Sequence, residues 1–136
     1  TFSRQNMKLP YTRDFVHILD SACVAHNARK TFFAQDDMGK IHAAIYIVWD
    51  ENSAYYLMGG SDPSLRNSGA NSLCMWSAIK FASTVTKKFD FEGSMIESVE
   101  RYFRSFGAKQ IPYFRLEKNN SRLLQIYRDV RSWTKK

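Results

Sequence analysis

Residues 88–107, KFDFEGSMIESVERYFRSFG, hold the densest set of groups able to move a proton or hold an anion. Asp90 and Glu92 alternate with Phe89 and Phe91, so an extended segment here buries two aromatic rings on one face and presents two carboxylates on the other. Two same-face acids on an interior parallel strand are costly unless they are hydrogen-bonded, paired or facing a cleft. In a cleft, either carboxylate can accept a proton from an amine nucleophile, which makes Glu92 the candidate base and Asp90 its neighbour in the same role. A buried cation such as Lys80 would instead make them a structural pair.

The next residues predict a helix. Gly93 allows a sharp change of direction, and Ser94 followed by Glu97 has the spacing of a capping box, placing a helix start at about Met95. Ile96, Val99, Phe103 and Phe106 fall on one side, Glu97, Glu100, Arg101 and Arg104 on the other, and Gly107 ends the helix. Glu97–Arg101 and Glu100–Arg104 have the i, i+4 spacing of exposed helix pairs, a structural account that covers four charges at once.

The elements that must position these groups follow in chain order. Residues 11–26 predict a packing helix with Thr12 as N-cap, Asn27 as stop, and Phe15, Leu19, Ala22 and Cys23 on its apolar face. Strands at residues 31–35, 41–49 and 54–58, joined by turns at 36–40 and 50–52, predict an antiparallel meander. Tyr55 and Tyr56 alternate on the third strand, so one ring points outward; either lines an acceptor pocket or packs. Residues 59–70 carry loop chemistry and lead into a helix at about 71–87, with Leu73, Trp76, Ile79 and Ala82 as its apolar stripe, widened by Met75 and Val85. Strand, helix, strand from residue 54 to 92 implies a right-handed crossover between parallel strands whose splayed carboxyl ends form a crevice. A further strand at 110–117 is confined by Pro112 to an edge, and Ser121 caps a last helix with Leu123, Tyr127 and Val130 inward. The fold class is α/β with a mixed sheet.

At 136 residues, with 44% hydrophobic and 15% aromatic composition, the chain is expected to form one ordered domain. Cys23 and Cys74 lie far apart on apolar faces, which predicts reduced thiols and a cytoplasmic location. No apolar run reaches membrane-spanning length and no leader pattern is present, although the sequence opens at Thr1 and an upstream partner domain is expected. Of the +7 net charge, the excess lies at the end: residues 101–136 hold ten Lys/Arg and two acids, residues 1–100 ten and eleven. Such a basic lobe attracts a polyanion, or is simply a solvated helix and tail. His17, His26 and His42 lack metal-ligand spacing, and nucleophile elbows, P-loops and dinucleotide fingerprints are absent.

This order resembles the GNAT acyltransferase fold. YYLMGGSDPSLRNSGAN at residues 55–71, FDFEGS at 89–94, YFRSFGAK at 102–109 and PYF at 112–114 resemble its FemABX-like branch of peptidoglycan bridge-forming aminoacyltransferases. The resemblance implies one GNAT-like domain over residues 1–136, the C-terminal half of a longer two-domain protein. In GNAT enzymes a loop reading Arg or Gln, two variable residues, Gly, one variable residue, then Gly or Ala holds the pyrophosphate of coenzyme A. Here Arg66 and Gly69 match that pattern, Ala70 is the variable residue and Asn71 departs from it. The FemABX Phe-Lys pair is met by Phe103 and Arg104, and arginine keeps the charge without exchanging protons near neutral pH. Phe103 stands where many GNAT enzymes carry a tyrosine acid.

The implied activity is transfer of an acyl or aminoacyl group to an amine, with Tyr56, Phe103 and Arg104 as further substrate-binding candidates. The FemABX branch implies an aminoacyl-tRNA donor and a peptidoglycan precursor as acceptor. The wider family implies acyl-coenzyme A as cosubstrate and some other amine acceptor. A reading of another class is a catalytically silent GNAT-like module that binds RNA or a partner through its basic C-terminal lobe.

Overall fold

The computed structural model describes residues 11–114 together with 116, 118, 120 and 121. The basic C-terminal helix expected after Ser121 and the lead-in at residues 1–10 lie outside them. Helix α1 (Arg13–Ala25) is followed by strands β1 (Arg29–Gln35), β2 (Ile41–Trp49) and β3 (Ala54–Ser61), helix α2 (Ala70–Val85), strand β4 (Phe89–Asp90) and helix α3 (Glu97–Arg104). The sheet order is β1-β2-β3-β4, antiparallel through β3 and parallel between β3 and β4. The expected meander and crossover are both present.

Two aspartates shape the hairpins. The Asp36 carboxylate accepts the Met38 and Lys40 N–H groups and contacts His42 at 3.2 Å, while Asp50 accepts those of Asn52 and Ser53. Both carboxyls are held below the ordinary aspartate value, first by those backbone donors, at Lys40 and Ser53 respectively. Tyr55 points outward to Asp50 at 3.0 Å, and Tyr56 points inward.

The core lies between β2 and the two later helices. Ala43, Ile45 and Ile47 face Cys74, Met75, Ala78 and Phe103. Ile45, Ile47 and Met75 are fully buried, each contributing about 1.5–3 kcal/mol by burial.

Several expectations are corrected. On α2 the buried positions are Ala70, Cys74, Met75, Ala78 and Ala82, whereas Leu73 is 61% and Trp76 50% exposed. Small residues every fourth position let the helix axis lie close to the sheet, and that proximity pushes the large side chains to its flanks. Helix α1 keeps its Thr12 cap and stops where Asn27 takes a left-handed φ of 51°, but it buries no residue. Phe15 and Ala22 are exposed, and Asp20, bonded to the Tyr46 hydroxyl at 2.9 Å and to Arg29 at 3.2 Å, supplies polar ties to the sheet. The capping box does not form: α3 begins at Glu97 with Ile96 as an uncapped N-cap. Ser94 accepts the Ile96 N–H instead, and Glu97 pairs with Arg101 at 2.6 Å. Residues 59–61 continue β3 and Pro63–Ser68 form a 3-10 turn, which shortens the expected loop.

The strand expected at residues 110–117 is absent among the described residues. Pro112 removes a ladder donor, and Ile111, Tyr113, Phe114 and Leu116 are each more than 80% exposed. The tight helix–sheet spacing gives a direct test: Ala78→Leu should lower stability by about 1–3 kcal/mol through overpacking. A denaturant midpoint unchanged from wild type would contradict this packing.

Candidate active site in the crevice between strands 3 and 4

Strands β3 and β4 pair at only two positions, Ala54 with Phe89 and Tyr55 with Asp90. Beyond Asp90 the chain turns away. The Asp90 carboxylate accepts the Glu92 N–H at 2.8 Å, and Glu92 takes a left-handed φ of 59°, followed by Gly93 at 70°. Strand β3 meanwhile continues to Ser61, with an extra residue at Leu57 where its register against β2 shifts. Such a bulge increases local twist and helps the two strands diverge. The two strands diverge from an apex at Tyr55 and Asp90, the arrangement expected of a crevice at the crossover.

The far end of β3 leads through the 3-10 turn to the start of α2. Gly69 ends the first and caps the second with φ 71° and ψ −1°; having no side chain it gives no cap bond of its own, and Ser68 Oγ accepts the Ala70 N–H at 3.4 Å. The first intrahelical bond runs from Leu73 N–H to Gly69 O at 3.0 Å, so the Asn71 and Ser72 N–H groups have no acceptor within the helix. These donors and the partial positive charge of the helix end suit an anionic group. Arg66 is exposed on the last turn before them, and Ala70 is buried behind them. Arg66, Gly69, Ala70 and Asn71 therefore cluster at the start of α2, where Gly69 and Ala70 line a hollow with Ser68, Leu73 and Ala34, Gln35, Asp36 and His42 of the β1–β2 hairpin.

Aromatic rings from β3, the β4 exit and α3 back this crevice. Phe103 packs against Tyr56 at 5.7 Å and Phe91 at 5.0 Å, and Phe91 lies 4.9 Å from Phe89. Phe103 is 7% exposed, so it supports the wall from the core. Arg104 is placed elsewhere: both guanidinium contacts, at 2.8 and 2.9 Å, go to Glu100 one turn earlier. Asp90 and Glu92 are both exposed at the exit of β4, which is the end strand among the described residues, and Lys80 is exposed too. That position removes the burial cost expected for an interior strand.

One residue was missed in the sequence. The Tyr102 hydroxyl accepts a 3.0 Å hydrogen bond from Asn71 Nδ2, joining α3 to the first turn of α2. Its phenol is half-buried, and burial raises its pKa above the ordinary tyrosine value, so it stays protonated at neutral pH. The Ser72 side chain also reaches this hydroxyl and works against that rise, and a tyrosine hydroxyl can accept from both neighbours and still carry its own O–H. The adjacent Phe103 marked the helix turn, but nothing local tied Tyr102 to Asn71.

The sequence matches the family model described as an acetyltransferase (GNAT) domain over residues 1–104. The chain belongs to the GNAT acetyltransferase family. Its fold is similar to a Pyrococcus furiosus protein assigned as an acetyl transferase, with TM-score 0.66, 14% identity and 86% of each chain covered. It is also similar to glucosamine-6-phosphate N-acetyltransferase from Arabidopsis thaliana, with TM-score 0.62, 10% identity, 88% of this chain and 87% of that one covered. A third similar structure is AAC(6')-Iy in complex with the bisubstrate analogue CoA-S-monomethyl-acetylneamine, with TM-score 0.63, 12% identity and 87% of each covered. A search of curated proteins finds no match. Among the described residues no helix of this GNAT domain is long and apolar enough to cross a membrane, no cluster suits a metal ion, and both cysteines are free thiols.

Because a Cβ at Gly69 would touch nothing within 4 Å, its requirement is the backbone conformation alone. Gly69→Ala should cost about 1 kcal/mol of stability with the fold retained. An unchanged denaturation midpoint would mean that the turn does not hold φ near 71° in solution.

Proposed function

We propose that this GNAT domain transfers an acyl group from acyl-coenzyme A to a primary amine. The carrying observation is the divergence of β3 and β4 after two rungs, together with the N–H groups at the start of α2 and the protonated Tyr102 that Asn71 ties to that helix start. An extended donor would set its pyrophosphate on the Asn71 and Ser72 N–H groups beside Arg66 and run its thioester toward the apex. The amine attacks the thioester carbon, forming the C–N bond as the C–S bond breaks. The ammonium proton goes to a base, and the departing thiolate takes a proton from an acid.

Tyr102 is the acid in this reading. Glu92 is the base, exposed at the exit of β4, and Asp90 positions it by holding its N–H. A left-handed φ on a non-glycine residue stores roughly 1 kcal/mol or more, a cost consistent with a side chain aimed for use. Most of the rate enhancement would come from holding two substrates together, since no covalent nucleophile is required. Complexes of the structural neighbour AAC(6')-Iy with coenzyme A and with a bisubstrate analogue support this donor class.

A second reading, aminoacyl-tRNA donor and peptidoglycan precursor acceptor in the manner of FemABX proteins with an upstream GNAT-like domain, rests on the FDFEGS and YFRSFG segments and the basic C-terminal excess. The pairing of Arg104 with Glu100 gives that reading no free cation at the motif position. A silent RNA-binding module is the third reading, and strongly salt-dependent RNA binding without acyl transfer would favour it.

The chemistry is tested by thiol release from acetyl-coenzyme A over a panel of small amines. Tyr102→Phe should lower kcat roughly 100-fold or more with KM little changed, and Glu92→Gln should do the same at neutral pH. Wild-type turnover in either folded variant would remove that residue from the mechanism.

A further inference from the structure

The apex of the crevice carries a device that catalysis by Tyr102 and Glu92 does not use. Tyr56 is the first residue of β3 past the last β3–β4 rung. Because Leu57 is the extra residue of the bulge, Tyr56 and Gly59 lie on the same face of β3, opposite the buried Ile47 and Ile45 of β2. The Tyr56 ring lies along the strand so far that a Cβ at position 59 would overlap its hydroxyl. Gly59 does not have a left-handed φ, so its missing side chain serves space and not backbone conformation. The ring is backed by Phe103, which meets it edge-on at 5.7 Å and is itself buried. Burial pushes the phenol up to about 12, which leaves it neutral at any physiological pH.

We propose that Tyr56, folded over Gly59 at the apex of the crevice, sets the length of the acyl chain that this domain accepts and restricts it to short groups. The inference rests on the acyl-coenzyme A reading above. A donor anchored at the start of α2 and running along β3 brings its acyl carbons to the apex, where the Tyr56 ring and Phe103 occupy the space that additional methylenes would need. Each methylene accepted or refused in an apolar site changes specificity by about tenfold or more.

The test compares acetyl-, butyryl- and hexanoyl-coenzyme A with the full chain, by calorimetric binding and by thiol release with an amine acceptor. Wild type should favour acetyl over hexanoyl in both measurements. Tyr56→Ala should raise the hexanoyl-to-acetyl ratio about tenfold or more, while Tyr56→Phe, which keeps the ring, should leave it near the wild-type value. Should Tyr56→Ala not fold, Tyr56→Leu replaces the ring with a shorter branched chain and carries the same expectation. A wild type that takes hexanoyl as well as acetyl, or an unchanged ratio in the folded Ala or Leu variant, overturns the inference and leaves the acyl-coenzyme A reading standing. Failure of wild type to bind any of the three thioesters overturns that reading, and the inference with it.

Discussion

Two rungs of parallel ladder hold β4 against β3, and the proposed site is read around the point where that pairing ends. The pairing stops because the Asp90 carboxylate captures the Glu92 N–H and the chain enters two successive left-handed residues, Glu92 and Gly93. A longer β4 would have continued the ladder past Tyr55 and closed the crevice with backbone hydrogen bonds. Stopping it early lets β3 run on to Ser61 past its last rung with β4, an arrangement that would be useful where an extended ligand is to be received. The same aspartate that ends the strand also aims the glutamate read as the base.

Holding such an opening requires rigid walls. One wall is β3, fixed by its full-length antiparallel pairing with β2, whose other edge pairs with β1. The other is built from aromatic rings, with Phe91, Phe103 and Phe106 in contact and Tyr56 and Tyr102 at the margin. Helix α2 lies close to the sheet through Ala70, Cys74, Ala78 and Ala82, and that closeness brings Asn71 within hydrogen-bond reach of Tyr102 on α3. The small-residue face therefore serves the site as well as the core.

Much of the frame was legible because it is written locally. Asp36 and Asp50 mark turns through their own side-chain oxygens, β2 reads as a β-rich run, Phe89 and Phe91 alternate with acids, and the α3 charges pair at one-turn spacing. What could not be read depends on distance between elements. The burying face of α2 is set by how close the helix lies to the sheet, and an apolar stripe drawn through Leu73 and Trp76 weighs size where the structure selects smallness. Ser94 and Glu97 had the right spacing for a capping box, but Ser94 caps the turn before the helix and Glu97 prefers Arg101. The Asn71–Tyr102 contact joins residues 31 apart in sequence, with no periodic signal in either segment. The GNAT resemblance supplied the crevice and the helix start, but the residue at its tyrosine position is Phe103, and only the folded chain brings Tyr102 to the neighbouring place.

The central claim is that the crevice between β3 and β4 is a coenzyme A thioester site. Calorimetric titration of the purified chain with acetyl-coenzyme A at two salt concentrations tests it most directly. Saturable one-to-one binding, competed by free coenzyme A and weakened only modestly by salt, is the predicted result. Absence of heat at both salt concentrations, with no competition by free coenzyme A, would contradict the account.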